Sequence, residues 1–451
     1  MCIPLALYKS DLENPLNILL TNGRFPVSLD LARQLKLLGH HVFVLDPMHY
    51  HVCKFSASVT KSFQVPPPRV DRRGFINATL SAVQEAKIHL IVGMHEELYY
   101  LAESKEPEIT SRLIAPEWTV LLRLHNKWEF SKLLEEAGLD RPRAWLCRNM
   151  EDAKKLDRRL DLALKPVFGR ASNNVYHLKP DEEGLAEDLN INEEEEYIAQ
   201  EWLYGDRFCC YAVIREGRVD AFGVYPVEDT IDGSSCVYFR SISHPRILNY
   251  VQRLATFLPH QSLPYQASFD IIETPATSTS PSRLVAIECN PRATSGIHLF
   301  SGTPNLAHAL TIPPSPSALS PSSSPSPSTS LSKRSLSKLG KHHTKTDLTN
   351  LTYPIIPTPN TKRQLAPGMM MWKKSERGAK AWLQHMKRLM GSKDVIFNKR
   401  DLWPSLMQPF LLTSYYEICR EQKRKLPDMF QWELCWVSER PCLVQCFGMK
   451  R

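Results

Sequence analysis

Leu284-Val285-Ala286-Ile287 runs directly into Glu288-Cys289-Asn290-Pro291-Arg292, and this stretch decides how the chain is read. Side chains alternate along a strand, so Glu288, Asn290 and Arg292 point to one face. Hard oxygen ligands such as a carboxylate and an amide suit Mg²⁺, and a neighbouring guanidinium suits the phosphate that such an ion carries. An upstream strand over residues 265–272 carries Asp270, and the Pro/Ser/Thr-rich loop 274–282 joins the two. Folded as a hairpin, the pair sets Asp270 across from Glu288, which gives two carboxylates for one or two metal ions. The competing reading is a surface strand whose Glu and Arg make a solvated ion pair.

Working outward, 451 residues allow two or three domains, each with its own core. The 43% hydrophobic and 23% charged content is ordinary for a globular protein. No run of eighteen apolar residues and no leader pattern at the start is present, so a cytoplasmic protein without a membrane span is expected. Eleven cysteines without a CxxC pair fit reduced thiols better than a disulfide framework or a zinc site. The net charge of +8 concentrates at 333–345 and 373–400. No aromatic residues interleave there in the manner of a nucleic-acid surface, so no nucleic-acid partner is expected.

The N-terminal part alternates strand and helix: a buried strand at 17–21, a helix with Leu31, Ala32, Leu35 and Leu38 on one stripe, and a strand at 41–46. A helix over 75–86 and a strand over 88–92 follow. Continuous apolar strands in that order predict a parallel α/β, Rossmann-like domain over 1–120. Asp46 tempts a dinucleotide reading, but the first turn, Thr21-Asn22-Gly23-Arg24-Phe25-Pro26, lacks GxGxxG. Residues 121–310 read as an α+β unit with strands at 162–167, 197–203, 208–214 and 219–225, and a hairpin turn at 215–218. The Pro/Ser-rich stretch 311–359 is expected to be a disordered linker. A mainly helical region, 360–451, is expected to pack on the catalytic body through Trp382, Met386, Leu389 and Met390.

Three further segments bear on nucleotide chemistry. In Lys165-Pro166-Val167-Phe168-Gly169-Arg170-Ala171-Ser172-Asn173, a strand ends in Lys and a small-residue loop follows, whose backbone N–H groups can hold phosphate oxygens. In Gln200-Glu201-Trp202-Leu203-Tyr204-Gly205-Asp206, an edge backbone and apolar walls suit adenine, and a carboxylate after the turn suits ribose hydroxyls. Lys127 heads a helix.

Taken in order, these segments resemble the ATP-grasp superfamily of carboxylate–amine ligases over about 121–300, with 1–120 similar to its preceding pre-ATP-grasp domain. The resemblance implies ATP and Mg²⁺ (or Mn²⁺) as cofactors. It implies nucleotide binding by Lys127, Lys165, Phe168, Gly169, Arg170, Ala171, Ser172, Asn173, Gln200, Glu201, Trp202, Leu203 and Asp206. Asp270, Glu288 and Asn290 would ligate metal, and Arg292 with Lys165 would stabilise the transferring phosphoryl group. Ser295, Gly296, His298 and Arg240 are candidates for the acceptor pocket, as is Tyr238. The implied partners are a small-molecule carboxylate and an amine or other nucleophile, and a homodimer is the default assembly. The C-terminal segments 372–374, 385–391 and 406–410 look similar to fungal ATP-grasp proteins of natural-product gene clusters. A small-molecule kinase, an NAD-linked oxidoreductase and a non-catalytic ATP-binding scaffold are the alternatives.

Overall fold

The computed structural model describes residues 15–169, 174–180, 184, 189, 191–192, 195–231, 235–278, 280–312, 352–370, 378–423, 426 and 433–436. The first sheet contains β1 (Asn17–Leu20), β2 (His41–Asp46), β3 (Lys61–Gln64), β4 (Leu90–Val92) and β5 (Leu113–Ile114), all parallel, in the order β3-β2-β1-β4-β5. Both faces are covered, as parallel strands require. Ile18 and Leu20 join the core that holds Leu31 and Leu35 of the helix Pro26–Leu37. Leu19 turns to the other core, with Phe75, Ile76 and Val83 of the helix Arg72–Glu85. Strand β3 has no apolar run, and its half-exposed polar sequence hid it from the reading above.

Asp46 is fully buried and committed to its own domain. Its carboxylate accepts from Arg24 at 2.7 Å and from the backbone N–H groups of Gly23 at 2.9 Å and Met48 at 2.7 Å. A Cβ on Gly23 would meet the His51 ring at 2.3 Å. Protein atoms thus fill the place where a ribose carboxylate and a pyrophosphate turn would have to work.

Two antiparallel sheets follow. One contains β6 (Ala144–Cys147), β7 (Leu162–Pro166), β8 (Tyr176–Leu178) and β9 (Tyr197–Glu201), in the order β6-β9-β7-β8. The other begins with β10 (Asp206–Arg215) and β11 (Arg218–Pro226), whose turn sets Glu216 and Gly217 at φ 48° and 74°, the tight hairpin geometry that glycine favours. After a ribbon of β12 (Thr230–Ile231) and β13 (Ser235–Cys236) and the strand β14 (Tyr238–Arg240), that sheet is completed by β15 (Tyr265–Glu273) and β16 (Leu284–Asn290), in the order β11-β10-β15-β16. A third small sheet joins β14 to β17 (Lys362–Gln364) and β18 (Lys393–Asp394).

Two expectations for the C-terminal half need correction. Ordered packing resumes before residue 360: Ile355 is buried and bridges β11, its N–H donating to Asp220 O at 2.8 Å while its carbonyl accepts from Phe222 N. The stretch 313–351, most of the expected linker, lies outside the described residues. The helix Ala379–Gly391 does not bury its apolar stripe. Trp382 is 50% and Met390 83% exposed, and only Leu389 packs on the cluster of Val237, Tyr238 and Met369. Polar ties hold this helix instead, Arg388 to Asp229 at 2.8 Å and His385 to Met369 O at 2.8 Å. Among the described residues no helix is long and apolar enough to cross a membrane, and the described cysteines are all free.

Candidate active site

Strands β15 and β16 pair antiparallel with Asp270 directly opposite Glu288 and Ser268 opposite Asn290. Immediately beyond, the register slips so that Ile271 faces Ala286 and Ile287 becomes the extra residue of a bulge. A bulge frees backbone groups from the ladder. The Ile287 carbonyl accepts from Lys165 Nζ at 3.4 Å, a contact that reaches across from β7 in the other antiparallel sheet.

A second lysine arrives from the helix Lys127–Glu136. Asn126 caps that helix by accepting from Glu129 N at 2.9 Å, and the Lys127 N–H donates to Val167 O at 3.1 Å, which fastens the helix start to the end of β7. Lys127 Nζ then lies 3.7 Å from Glu288 Oε2 and 2.5 Å from Gly169 O. Asn290 Nδ2 donates to Glu288 Oε1 at 3.3 Å, and Arg292 Nη2 donates to Asn290 Oδ1 at 3.2 Å. The buried Arg292 Nε has no hydrogen-bond partner among the described residues. The structure therefore brings together Lys127, Lys165, Asp270, Glu288, Asn290 and Arg292 where the two antiparallel sheets meet.

The electrostatics of this cluster separate its members. Burial, the Cys209 thiol and the Glu288 carboxylate push Asp270 well above the usual carboxylate range. Burial also opposes ionisation of Glu288, but the ammonium groups of Lys127 and Lys165 outweigh it and hold Glu288 at about 2. Burial lowers Lys165 to about 8, against a smaller opposing pull from Glu288. Two facing carboxyl groups, one pushed up and the other held down, form a charge arrangement that a divalent cation relieves. Among the described residues no three His, Cys, Asp or Glu side chains form a complete metal cage. Two carboxylates and an amide fit an ion that brings phosphate oxygens and waters as its remaining ligands.

The other expected nucleotide residues are distributed along β9 and β10. Gln200 is buried between Ala144 and Ala163, and Leu203 is half-buried. The Glu201 side chain is taken by Arg283 at 3.3 Å and by the Arg143 N–H at 3.2 Å, and its own N–H donates to Arg143 O at 2.8 Å; β9 lies between β6 and β7, so the edge backbone expected for adenine is not at Glu201. Trp202 gives one ring face to His177, with centroids 3.7 Å apart. Asp206 opens β10 and is exposed. Arg170, Ala171, Ser172 and Asn173 lie outside the described residues, whereas Phe168 and Gly169 are placed.

Among the acceptor candidates, His298 is buried, its Nδ1 2.8 Å from Asp30 Oδ2 of the first domain, a partnership that accounts for it without a ligand. Gly296 lies against Tyr211, where a Cβ would come within 2.2 Å of the Tyr211 Cβ. Arg240 pairs with Glu228 at 2.5 Å, and Tyr238 is buried. Ser295 follows Thr294, whose hydroxyl is 2.7 Å from Ser268 Oγ.

Two neighbours of the site escaped the sequence reading. Cys209 faces Asp270 on β10 and donates to its Oδ1 at 3.0 Å, visible only once β10 and β15 are known to pair. Trp436, 268 positions beyond Phe168, packs on it with ring centroids 5.5 Å apart.

N5-carboxyaminoimidazole synthetase from Staphylococcus aureus, complexed with ADP, superposes with a TM-score of 0.52 at 16% identity, over 68% of this chain and 81% of that one. The L-amino acid ligase from Bacillus licheniformis gives 0.50 at 16% identity, over 66% and 74%. Biotin carboxylase from Campylobacter jejuni gives 0.50 at 15% identity, over 67% and 72%. The chain shares its fold with these three solved enzymes. No protein-family model and no curated protein matches the sequence. At these identities the likeness establishes the fold, and the chemistry rests on the residues themselves.

Proposed function

We propose that the protein is an ATP- and Mg²⁺-dependent ligase that activates a small-molecule carboxylate, that of an amino acid in the reading we favour, for attack by an amine or other nucleophile. The observation that carries this reading is the Asp270–Glu288 pair set beside two lysine ammonium groups and Arg292, between the two sheets of an ATP-grasp fold. A bound Mg²⁺ would supply neutralisation of phosphate charge and a template for the phosphate oxygens.

In this reading, Lys127 and Lys165 hold the phosphates by charge-assisted hydrogen bonds, and Glu288 and Asn290 keep both lysines and Arg292 in place. Arg292, through its unpartnered Nε, offsets the charge spread over the γ-phosphoryl oxygens in flight. A substrate carboxylate oxygen attacks the γ-phosphorus, the bond to the β–γ bridging oxygen breaks, and ADP leaves. The resulting acyl phosphate is attacked by the nucleophile. Its C–O bond to phosphate breaks, inorganic phosphate departs, and the amine's proton is released to solvent. Enclosure of the cleft protects the acyl phosphate from water. The C-terminal resemblance supports a setting in fungal secondary metabolism.

The test is an ADP-release screen across amino and hydroxy acids, each with and without a second amine. Release of ADP and free phosphate in equal amounts, only when acid and nucleophile are both present, is the expected result. ADP without free phosphate would instead identify a kinase, and no acid-dependent ADP at all would remove the proposal.

A further inference from the structure

Away from the carboxylate pair, a cavity of about 230 Å³ opens between the 3₁₀ turn Ser295–Phe300, the segment 357–363 and β18. Its lining includes Ser301, Thr303, Thr358, Thr361 and the cations Arg363 and Lys393, with no Asp or Glu; the Thr303 and Thr361 hydroxyls donate to Phe300 O at 2.8 Å and Thr358 O at 2.7 Å, which leaves those of Ser301 and Thr358 to donate. None of its lining residues belongs to the nucleotide or metal set described above.

Arg363 and Lys393 are direct register partners on β17 and β18. Like charges placed directly opposite each other on adjacent strands destabilise a sheet. Elsewhere in the same small sheet the chain answers such a cost, since Arg240, which faces Lys362, pairs with Glu228 at 2.5 Å. Neither Arg363 nor Lys393 makes an ion pair with a carboxylate among the described residues. The carboxylate whose charge reaches Arg363 is Asp30, already bonded to His298.

The guanidinium is also held in place: Arg363 Nη2 donates to Ser301 O at 2.7 Å and Nη1 to Lys362 O at 3.2 Å, which leaves the remaining N–H groups for another acceptor. A half-buried, oriented guanidinium beside an ammonium and the hydroxyls of Ser301 and Thr358 matches an oxyanion. Phe300 and Pro357 on the wall leave room for a short apolar body. The volume is below the ~300 Å³ at which pockets for larger ligands begin, so a nucleotide is too big.

We propose that this cavity is a binding site for a small oxyanion, carboxylate- or phosphate-headed, separate from the nucleotide cleft and independent of the reaction assigned to it. The experiment is isothermal titration of the full chain with inorganic phosphate and, separately, with succinate, at constant ionic strength and with excess MgADP to occupy any nucleotide site. One of the two anions is expected to bind at one site per chain and to weaken at least tenfold in Lys393→Met and in Arg363→Gln. A preference for succinate or for phosphate identifies the head group. Lys393 is exposed, and without anion Lys393→Met should melt at or above the wild-type temperature, because it removes the like-charge pair. Failure of both anions to saturate one site, or wild-type affinity in Lys393→Met, would overturn the proposal.

Discussion

Asp270 and Glu288 face each other across two strands with opposite proton affinities, and that asymmetry sets what each substitution should do. Glu288→Gln leaves the shape intact but removes the charge that holds Lys127 and Lys165. ADP formation should fall at least a hundredfold while the melting temperature stays within a few degrees, as followed by coupled assay and calorimetry. A fully active variant would remove Glu288 from the metal set. Lys165 gives a pH signature. Its ammonium is the form that meets phosphate and is lowered to about 8, so MgATP affinity should fall as pH rises through about 8. Lys165→Arg keeps its charge and should flatten that limb, which titrations between pH 7 and 9.5 would detect. The linked stability effect has the opposite sense. The unfolded chain holds this proton up to about 10.4, so the penalty of burying the ammonium fades as pH climbs from 8 towards that value. The pairing of these acids was legible because strand alternation and a hairpin connection leave few registers. The Cys209 contact was not, because nothing near Cys209 in sequence says which strand lies beside it.

Among the elements, the short segment 433–436 shows best what sequence order conceals. Trp436 packs on Tyr99, Trp118, His125 and Phe168, and its indole N–H donates to Glu103 at 3.1 Å. Phe168 stands where the small-residue loop begins, so Trp436 braces that loop's first residue. Trp436→Ala should cost about 3 kcal/mol in urea unfolding. It should also raise KM for ATP more than it lowers kcat, whereas a purely structural role would change stability alone. Local patterning gave the helix that Lys127 heads, because its apolar stripe is local in sequence, while the Asn126 cap is seen only in the structure. It could not say what the helix Ala379–Gly391 faces: periodicity shows that a helix is amphipathic, and only the assembled fold shows whether a partner meets it. Trp382 and Met390 remain in solvent for that reason. The bulge at Ile287 was likewise hidden, because an apolar residue in an apolar run carries no mark of a register slip.

Across the whole molecule, the first domain and the C-terminal region are joined by buried charge. Arg33 donates to Asp401 at 2.9 Å and to the carbonyls of Val395 and Ile396, and Arg24 reaches both Asp46 and Glu433. Asp401→Ala strands the Arg33 guanidinium among protein atoms and should destabilise the chain by about 3 kcal/mol, measured by denaturant titration. A loss below 0.5 kcal/mol would mean that the two regions are held by other contacts. The same architecture places the Lys165 strand and the Glu288 strand on separate sheets that meet where Lys165 Nζ donates to Ile287 O at 3.4 Å, the arrangement on which the nucleotide reading depends. Calorimetric titration with ATP, with and without Mg²⁺, tests that reading most directly. The wild-type protein should bind one ATP per chain with a strong Mg²⁺ requirement, and the double variant Asp270→Asn, Glu288→Gln should lose that requirement along with at least tenfold in affinity. Absence of ATP binding in the wild type, or an unchanged Mg²⁺ dependence in the double variant, would contradict it.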